Sequence, residues 1–176
     1  MKKLVAAIWV LFALCVDADA QGTFQFTIHL NGSSMVPPNG STLTGDGMLT
    51  LEGTALSYDF SGARVAGGGY PDTAEIRGPA LSGNNAGFLY GLGRPLIETP
   101  FPPSLGSYVY RGTIAITDQQ RSELLSGLWY ILVTTQENPL GEIRGQIVPV
   151  PEPGTAGLVL VGGLLWTARL MRFRRR

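Results

Sequence analysis

The chain has 176 residues, equal numbers of acidic and basic side chains, one histidine and one cysteine. This length suits one domain with flanking segments rather than two domains. Residues 21–149 hold six arginines against ten acidic residues, and a net charge of about −4 without a basic patch argues against nucleic-acid binding.

Residues 1–20 have the three parts of a secretory signal peptide and are expected to form an N-terminal signal helix. Lys2 and Lys3 form the positive region, the apolar core runs from Leu4 to Val16, and Ala18 and Ala20 give a small-x-small cleavage site. The apolar run is too short to span a membrane comfortably. Cleavage also removes Cys15, which leaves the mature chain without thiol chemistry.

Residues 21–149 carry the pattern of a strand-built domain. Apolar and polar residues alternate over Thr23–Leu30, which predicts a half-buried strand with His29 on its polar face. Six further runs predict strands at Gly47–Leu51, Ala55–Phe60, Gly87–Tyr90, Tyr108–Ile116, Trp129–Thr135 and Gly141–Val148. Glycine-rich turns between short strands are typical of an all-β, antiparallel sandwich or barrel.

One helix is expected inside this domain. Thr117 and Gln120 form a capping box, Leu124 and Leu125 supply an apolar side, and Gly127 ends the segment. The four prolines of Arg94–Ser104 predict a long surface loop instead.

Residues 150–176 read as a membrane-sorting tail. Pro151, Glu152 and Pro153 precede fifteen apolar residues, which as a helix reach about 22 Å against a bilayer core of about 30 Å. The chain closes with a cluster of arginines at Arg172, Arg174, Arg175 and Arg176. The positive-inside rule puts this cluster in the cytoplasm and the β domain outside.

The tail resembles the PEP-CTERM sorting signal, since the Pro-Glu-Pro triplet, a short apolar helix and the arginine cluster occur in that order. The resemblance implies recognition by an exosortase, cleavage near the triplet, and release or attachment at the cell surface. Proteins of this type are typical of Gram-negative bacteria that make exopolysaccharide. A single-pass anchor that is never cleaved is the alternative.

The domain resembles the CHRD domain, a module found in chordin and in exported bacterial proteins. The matching segments are Leu30–Pro38, Ala74–Ala80, Gly127–Thr135 and Gly141–Ile147. The resemblance implies an immunoglobulin-like or related β-sandwich without established enzymatic activity. Bacterial members commonly carry histidines at three positions that are Glu75, Arg77 and Thr134 here. A histidine-rich metal site therefore does not carry over, and no metal or cofactor is expected.

The segment Glu-Ile-Arg-Gly occurs twice, with Glu75 and Arg77 in the first copy and Glu142 and Arg144 in the second. Each isoleucine is expected in the core, with the charged side chains on the outer face. We hypothesise that the two segments are neighbouring strands whose charges pair across the ladder. Ligand binding by these four residues is the alternative.

Two further hypotheses concern surface chemistry. Six aromatic residues are candidates for a carbohydrate-stacking surface, although core packing is the more common role of strand aromatics: Tyr58, Tyr70, Tyr90, Tyr108, Tyr110 and Trp129. The acids Asp72, Glu75, Glu137 and Glu142 are candidates for a paired-carboxylate site.

The sequence thus predicts a non-enzymatic protein, exported across the inner membrane, anchored transiently through its C-terminal helix, and then placed at the cell surface or in the matrix. Its expected partners are an exosortase, the membrane, and exopolysaccharide or other surface proteins. The alternatives are a secreted carbohydrate-active enzyme that uses surface carboxylates and, after it, a metal-binding module.

Overall fold

A computed structural model describes residues 22–63, 70–98 and 107–151. The signal peptide, most of the sorting tail and the two predicted terminal helices lie outside these residues. Within them, no helix is long and apolar enough to cross a membrane.

Ten strands and one α-helix make up the described part of the chain. The strands are β1 (Phe24–Leu30), β2 (Thr44–Glu52), β3 (Ala55–Ala63), β4 (Pro71–Arg77), β5 (Phe88–Gly93), β6 (Leu96–Glu98), β7 (Ser107–Ala115), β8 (Tyr130–Thr135), β9 (Ile143–Gln146) and β10 (Val148–Pro149). The helix α1 is Asp118–Leu125, and a short 3-10 turn covers Gly32–Ser34.

The strands form two antiparallel sheets that pack as a sandwich. The six-stranded sheet has the order β10-β1-β2-β3-β7-β6, and the four-stranded sheet has the order β5-β4-β8-β9. One hydrophobic cluster lies between the sheets and draws residues from both. The mostly β, sandwich-like class predicted from the sequence is therefore confirmed.

The alternating apolar and polar residues of β1 lie on opposite faces of the strand, as predicted. Phe26, Ile28 and Leu30 are at most 3% exposed, while His29 lies on the solvent face. A two-residue period puts alternate side chains on opposite faces of a strand, and burying one set fixes which face is which.

The predicted strand Gly141–Val148 is in fact two strands that belong to different sheets. β9 pairs with β8, and β10 pairs with β1. Between them Ile147 is fully buried at the corner where the chain changes sheets. Such corners are a standard way of closing a sandwich.

The helix prediction is confirmed, including its cap. The Thr117 side chain accepts from the Gln120 amide at 3.2 Å, and the Gln120 side chain accepts from the Thr117 amide at 2.9 Å. Leu124 is fully buried, and Gly127 takes a left-handed conformation with φ of 68° just beyond the helix. The predicted loop Arg94–Ser104 is only partly described and contains β6, which pairs with β7.

Candidate functional site

The first Glu-Ile-Arg-Gly segment lies in β4, where Ile76 is fully buried in the core as expected. Glu75 and Arg77 share the outer face and form an ion pair with each other, with Nη2 to Oε1 at 2.8 Å. Their side chains are 17% and 32% exposed. The pair is therefore made within one strand rather than across the ladder.

The second segment has a different environment. Ile143 is in the core, but Glu142 is only 5% exposed and Arg144 only 2% exposed. The prediction that these two charges lie on an exposed face is wrong, because loops of the same chain cover this face.

The hypothesis that the two segments are neighbouring strands is also wrong, because β8 runs between β4 and β9. Glu75 lies opposite Leu132, which in turn lies opposite Arg144. In the next row Arg77, Tyr130 and Gln146 are aligned in the same way. The repeated motif thus marks the two flanks of one central strand.

Arg144 is a buried cation without an ion-pair partner among the described residues. Its guanidinium lies 3.7 Å from the centre of the Tyr130 ring, and its Nη2 donates to Gln146 Oε1 at 3.4 Å. Its Nη1 has no hydrogen-bond partner in the described structure. Burial lowers the pKa of this guanidinium, and Tyr130 offsets the effect in part. Arg144 is therefore held by stacking more than by charge pairing.

Glu142 is held by neutral donors. Its Oε2 accepts from the Thr135 hydroxyl at 3.0 Å and from the side-chain amide of Asn138. These contacts fix the turn between β8 and β9, where Glu142 serves as a hydrogen-bond acceptor.

Two loops cover the outer face of the four-stranded sheet. The Asn39 side chain donates to the Glu142 carbonyl at 2.9 Å, and the Asn85 side chain donates to the Val36 carbonyl at 3.0 Å. The Ala86 amide donates to the Tyr130 hydroxyl at 3.0 Å. These loops bury much of the face, and polar and apolar side chains pack together beneath them.

The three positions that depart from the common histidine pattern lie on this same face. Glu75 and Arg77 form an ion pair with each other, and the Thr134 hydroxyl lies 2.8 Å from the Thr73 hydroxyl. Within the described ranges no group of three or more histidine, cysteine or acidic side chains is placed to hold a metal ion.

The proposed carbohydrate-stacking surface is not formed by the aromatic residues. Tyr58, Tyr108, Tyr110 and Trp129 are at most 8% exposed, and Tyr90 packs against the core. Only Tyr70, at 48% exposed, is an open aromatic side chain of this set. The other five aromatic candidates therefore pack in the sandwich, which is the alternative role considered for them.

His29 has a partner that sequence reasoning missed. Its Nδ1 lies 2.5 Å from Asp46 Oδ1, and the two side chains are 66% and 74% exposed. The two residues are 17 positions apart and become neighbours because β1 pairs with β2 in that register. Only the hairpin register could have identified this pair from the sequence.

The sorting and cleavage residues are mostly outside the described chain. Pro151 is described and exposed, whereas Glu152, Pro153, Ala18 and Ala20 are not described. The arginines of the terminal cluster, Arg172, Arg174, Arg175 and Arg176, also lie beyond the described residues. Their roles stay predictions from the sequence.

The four segments on which the family resemblance rests come together in space. Two of them contain β8 and β9, one contains the end of β4, and the fourth is the loop that covers their outer face. In agreement, the family model described as the CHRD domain matches residues 26–147. No curated protein and no solved structure matches the chain.

Proposed function

We propose a function from the premise that this chain belongs to the CHRD domain family: it is an exported, exosortase-sorted protein of the cell surface or matrix. Its β domain acts by binding or as a structural component, without catalysis. The proposal includes the signal peptide at residues 1–20 and the membrane-spanning tail at residues 150–176, both derived from the sequence.

The observation that carries this proposal is that the first and last strands of the described domain are neighbours. In β10, Pro149 pairs with Phe26 of β1, and the Val150 amide donates to the Gln25 carbonyl at 2.8 Å. The first and last described segments of the domain therefore lie side by side at one end of the sandwich, which supports a shared attachment end. A domain tied down at one end suits a tethered module whose remaining surface faces outward.

The positions of the acidic side chains favour binding over the alternative of a carbohydrate-active enzyme. Glycoside hydrolysis needs two carboxyl groups that face one substrate at about 5–10 Å. Asp72 is paired with Arg94 at 3.2 Å, and Glu75 is paired with Arg77. Glu142 accepts from Thr135 and Asn138, so each of these three carboxylates already has a partner within the fold.

Mass spectrometry of the protein from its native cells tests the sorting proposal. The expected mature chain begins at Gln21 and ends near Pro153, and it is recovered outside the inner membrane. Replacing Pro151, Glu152 and Pro153 together by alanine should leave the tail attached and the protein in the membrane fraction. Glu137→Ala, an exposed acidic residue of the domain, is the control and should be processed normally.

Recovery of the intact chain 1–176 in the cytosol would overturn the proposal. A second arm replaces the arginines of the terminal cluster by glutamate. Reversing these charges removes the cytoplasmic anchor of the helix, so reduced surface delivery is expected. Unchanged processing and location in this variant would argue against the assigned tail topology.

A further inference from the structure

A shallow cavity lies on the outside of the sandwich, at the corner where the chain passes from β9 to β10. Its volume is about 480 Å³, within the range of small-ligand sites. Thr27, His29 and Asp46 line it from the six-stranded sheet, while Asn31 and Ser34 close one side. Gln146, which also lines the cavity, accepts from Arg144 and so links the cavity to the covered polar face.

The polar groups of the cavity are held in place internally and keep unused hydrogen-bonding capacity. The bond from His29 Nδ1 to Asp46 Oδ1 leaves His29 Nε2 and Asp46 Oδ2 with no partner in the described structure. Asn31 Oδ1 accepts from the Ser33 hydroxyl at 2.7 Å and from the Ser34 amide at 2.8 Å, which orients its amide nitrogen. Hydrogen-bond donors and acceptors thus surround the cavity.

Apolar groups complete the lining. Val148 of β10 is 51% exposed, and Thr27 lies beside it in the β1 register. Gly47 adds backbone carbon surface to the lining. An apolar wall combined with mixed donors and acceptors matches a ring that carries C–H groups on its faces and hydroxyl groups on its rim.

Other occupants fit this cavity less well. The described residues contain no group of three metal-ligating side chains, so a transition-metal site is not formed here. An extended peptide has no free edge to join along β1, because β2 occupies one side and β10 with the Asn31–Arg144 bridge occupies the other. A neutral hydroxyl-rich ligand is favoured by the mixture of one carboxylate with uncharged donors.

We propose that this corner cavity binds a single neutral sugar residue of a glycan. Asp46 and His29 hold vicinal hydroxyl groups, Asn31 and Thr27 bond to the rim of the ring, and Val148 contacts its carbon face. The proposal deepens, and rests on, the proposed surface role. The chain leaves for the tail beside Gln25, two residues from Thr27, whereas Asn31 lies just past the end of β1, about 20 Å from Gln25. The cavity therefore runs from Thr27 and Val148, beside this exit, to Asn31 at the far end of β1.

The test uses the full chain in detergent micelles on an array of di- to tetrasaccharides ending in glucose, galactose, mannose or N-acetylglucosamine. Glucuronate-ended oligosaccharides of equal length are included. We expect binding to at least one of the neutral ends and weaker binding to the glucuronate ends, because Asp46 repels a second carboxylate. Dense display on the array compensates for the modest affinity of an exposed site.

Two variants identify the site. Asp46→Ala should weaken binding by about tenfold or more, since it removes a charged acceptor. Thr27→Val, which keeps the shape and removes one hydroxyl, should weaken it by a smaller factor. Asp59→Ala is the matched control, because Asp59 lies on the same sheet face, pairs with Arg111, and is outside the cavity. Its affinity should stay within about twofold of the parent chain.

Two results would overturn the assignment. The first is that the unsubstituted chain, shown to be folded by its unfolding transition, binds none of the oligosaccharides. The second is that the Asp46→Ala and Asp59→Ala variants bind equally well. Failure here leaves the sorting proposal intact, because tail processing is read separately by mass spectrometry. Failure of processing with retained sugar binding would instead reject the sorting assignment alone.

Discussion

Arg144 shows how a charged residue can be buried without a carboxylate partner. The side chain is 2% exposed and stacks on Tyr130 at 3.7 Å. Its aliphatic stem and planar head fill volume under the covering loops, so packing accounts for much of its contribution. A buried charge of this type is often replaced by an apolar side chain of similar length without loss of stability.

We therefore predict that Arg144→Met keeps the unfolding free energy within about 1 kcal/mol of the parent chain or raises it. Arg144→Ala should lose about 2 kcal/mol or more, because it leaves a cavity beside Tyr130. Denaturant unfolding of both variants measures the difference. Equal losses in the two variants would show that the charge, rather than the volume, holds this face together.

Tyr110 also has a buried polar group, but this group is a neutral hydroxyl and not a charge. Its ring stacks on Phe60 with centroids 4.9 Å apart, and its hydroxyl has no hydrogen-bond partner in the described structure. We expect Tyr110→Phe to leave the unfolding free energy unchanged or to raise it by about 1 kcal/mol. Tyr108→Phe is the matched control, because it removes the bond to the Thr44 carbonyl at 2.9 Å and should cost about 1 kcal/mol. A large loss in Tyr110→Phe would contradict this reading.

The same residue predicts a pH dependence at the alkaline end. Burial raises the pKa of the Tyr110 hydroxyl, with smaller contributions from Tyr108 and Asp72. Above pH of about 10 the unfolded chain releases this proton while the folded chain retains it, so folding stability falls as the pH rises. Unfolding measured between pH 8 and 11 should show a shallower alkaline loss in Tyr110→Phe than in the parent. Identical slopes would contradict the assignment of this proton to Tyr110.

At the scale of elements, the helix is fastened to the core by hydrogen bonds to two aromatic side chains that pack against each other. The Tyr90 hydroxyl donates to Gln120 at 2.7 Å, and the Trp129 ring donates to Glu123 at 3.2 Å. Gln120 also closes the capping box with Thr117, so one side chain serves both the cap and the packing against β5.

We predict that Thr117→Ala lowers the unfolding free energy by about 1 kcal/mol, the usual effect of losing an N-cap. Thr113→Ala is the control, because its hydroxyl bonds only to Ser57 on an exposed face, and it should change stability by less than about 0.5 kcal/mol. Thermal unfolding of the two variants separates these outcomes. Similar behaviour of both would mean that tertiary contacts alone hold the helix.

β5 is an edge strand of the four-stranded sheet, and its irregular pairing explains how this edge is protected. β5 carries two register shifts against β4, and Phe88 at 60% exposed lies at its start. Bulges twist an edge strand and reduce its ability to pair with another chain. The edge is thus protected despite its apolar composition.

At the scale of the whole molecule, the two sheets come into close contact where β9 crosses β1. A Cβ added at Gly145 would collide with the His29 carbonyl oxygen and lie 2.8 Å from Ile28 Cγ1. Both neighbours belong to β1, the strand that holds the two ends of the domain together. Only the absence of a side chain permits this crossing.

Gly145→Ala should therefore lower the unfolding free energy by about 1–3 kcal/mol, because a backbone atom must move to admit the methyl group. Gly87→Ala is its control, since nothing lies within 4 Å of the added Cβ at that position. Denaturant titration of both full-length variants compares them. Equal stability of the two would mean that the sheets separate at this corner without cost.

Local patterns in the sequence were sufficient for the faces of β1, the capped helix and the mostly β class. Alternation over two residues and the side chains at a helix start act through neighbouring residues, so one segment contains the whole signal. The signal peptide and the sorting tail are also identified from local sequence patterns. They stay predictions because nearly all of their residues lie outside the described part of the chain.

The tertiary structure decided the neighbours of each strand and the burial of each charge. A two-residue period places Glu142 and Arg144 on one face, but it does not tell which strand lies alongside or which loop covers that face. The pairing of His29 with Asp46 likewise depends on strand register. These contacts join residues far apart in the chain, and their energies are settled only when the two sheets and the covering loops pack together.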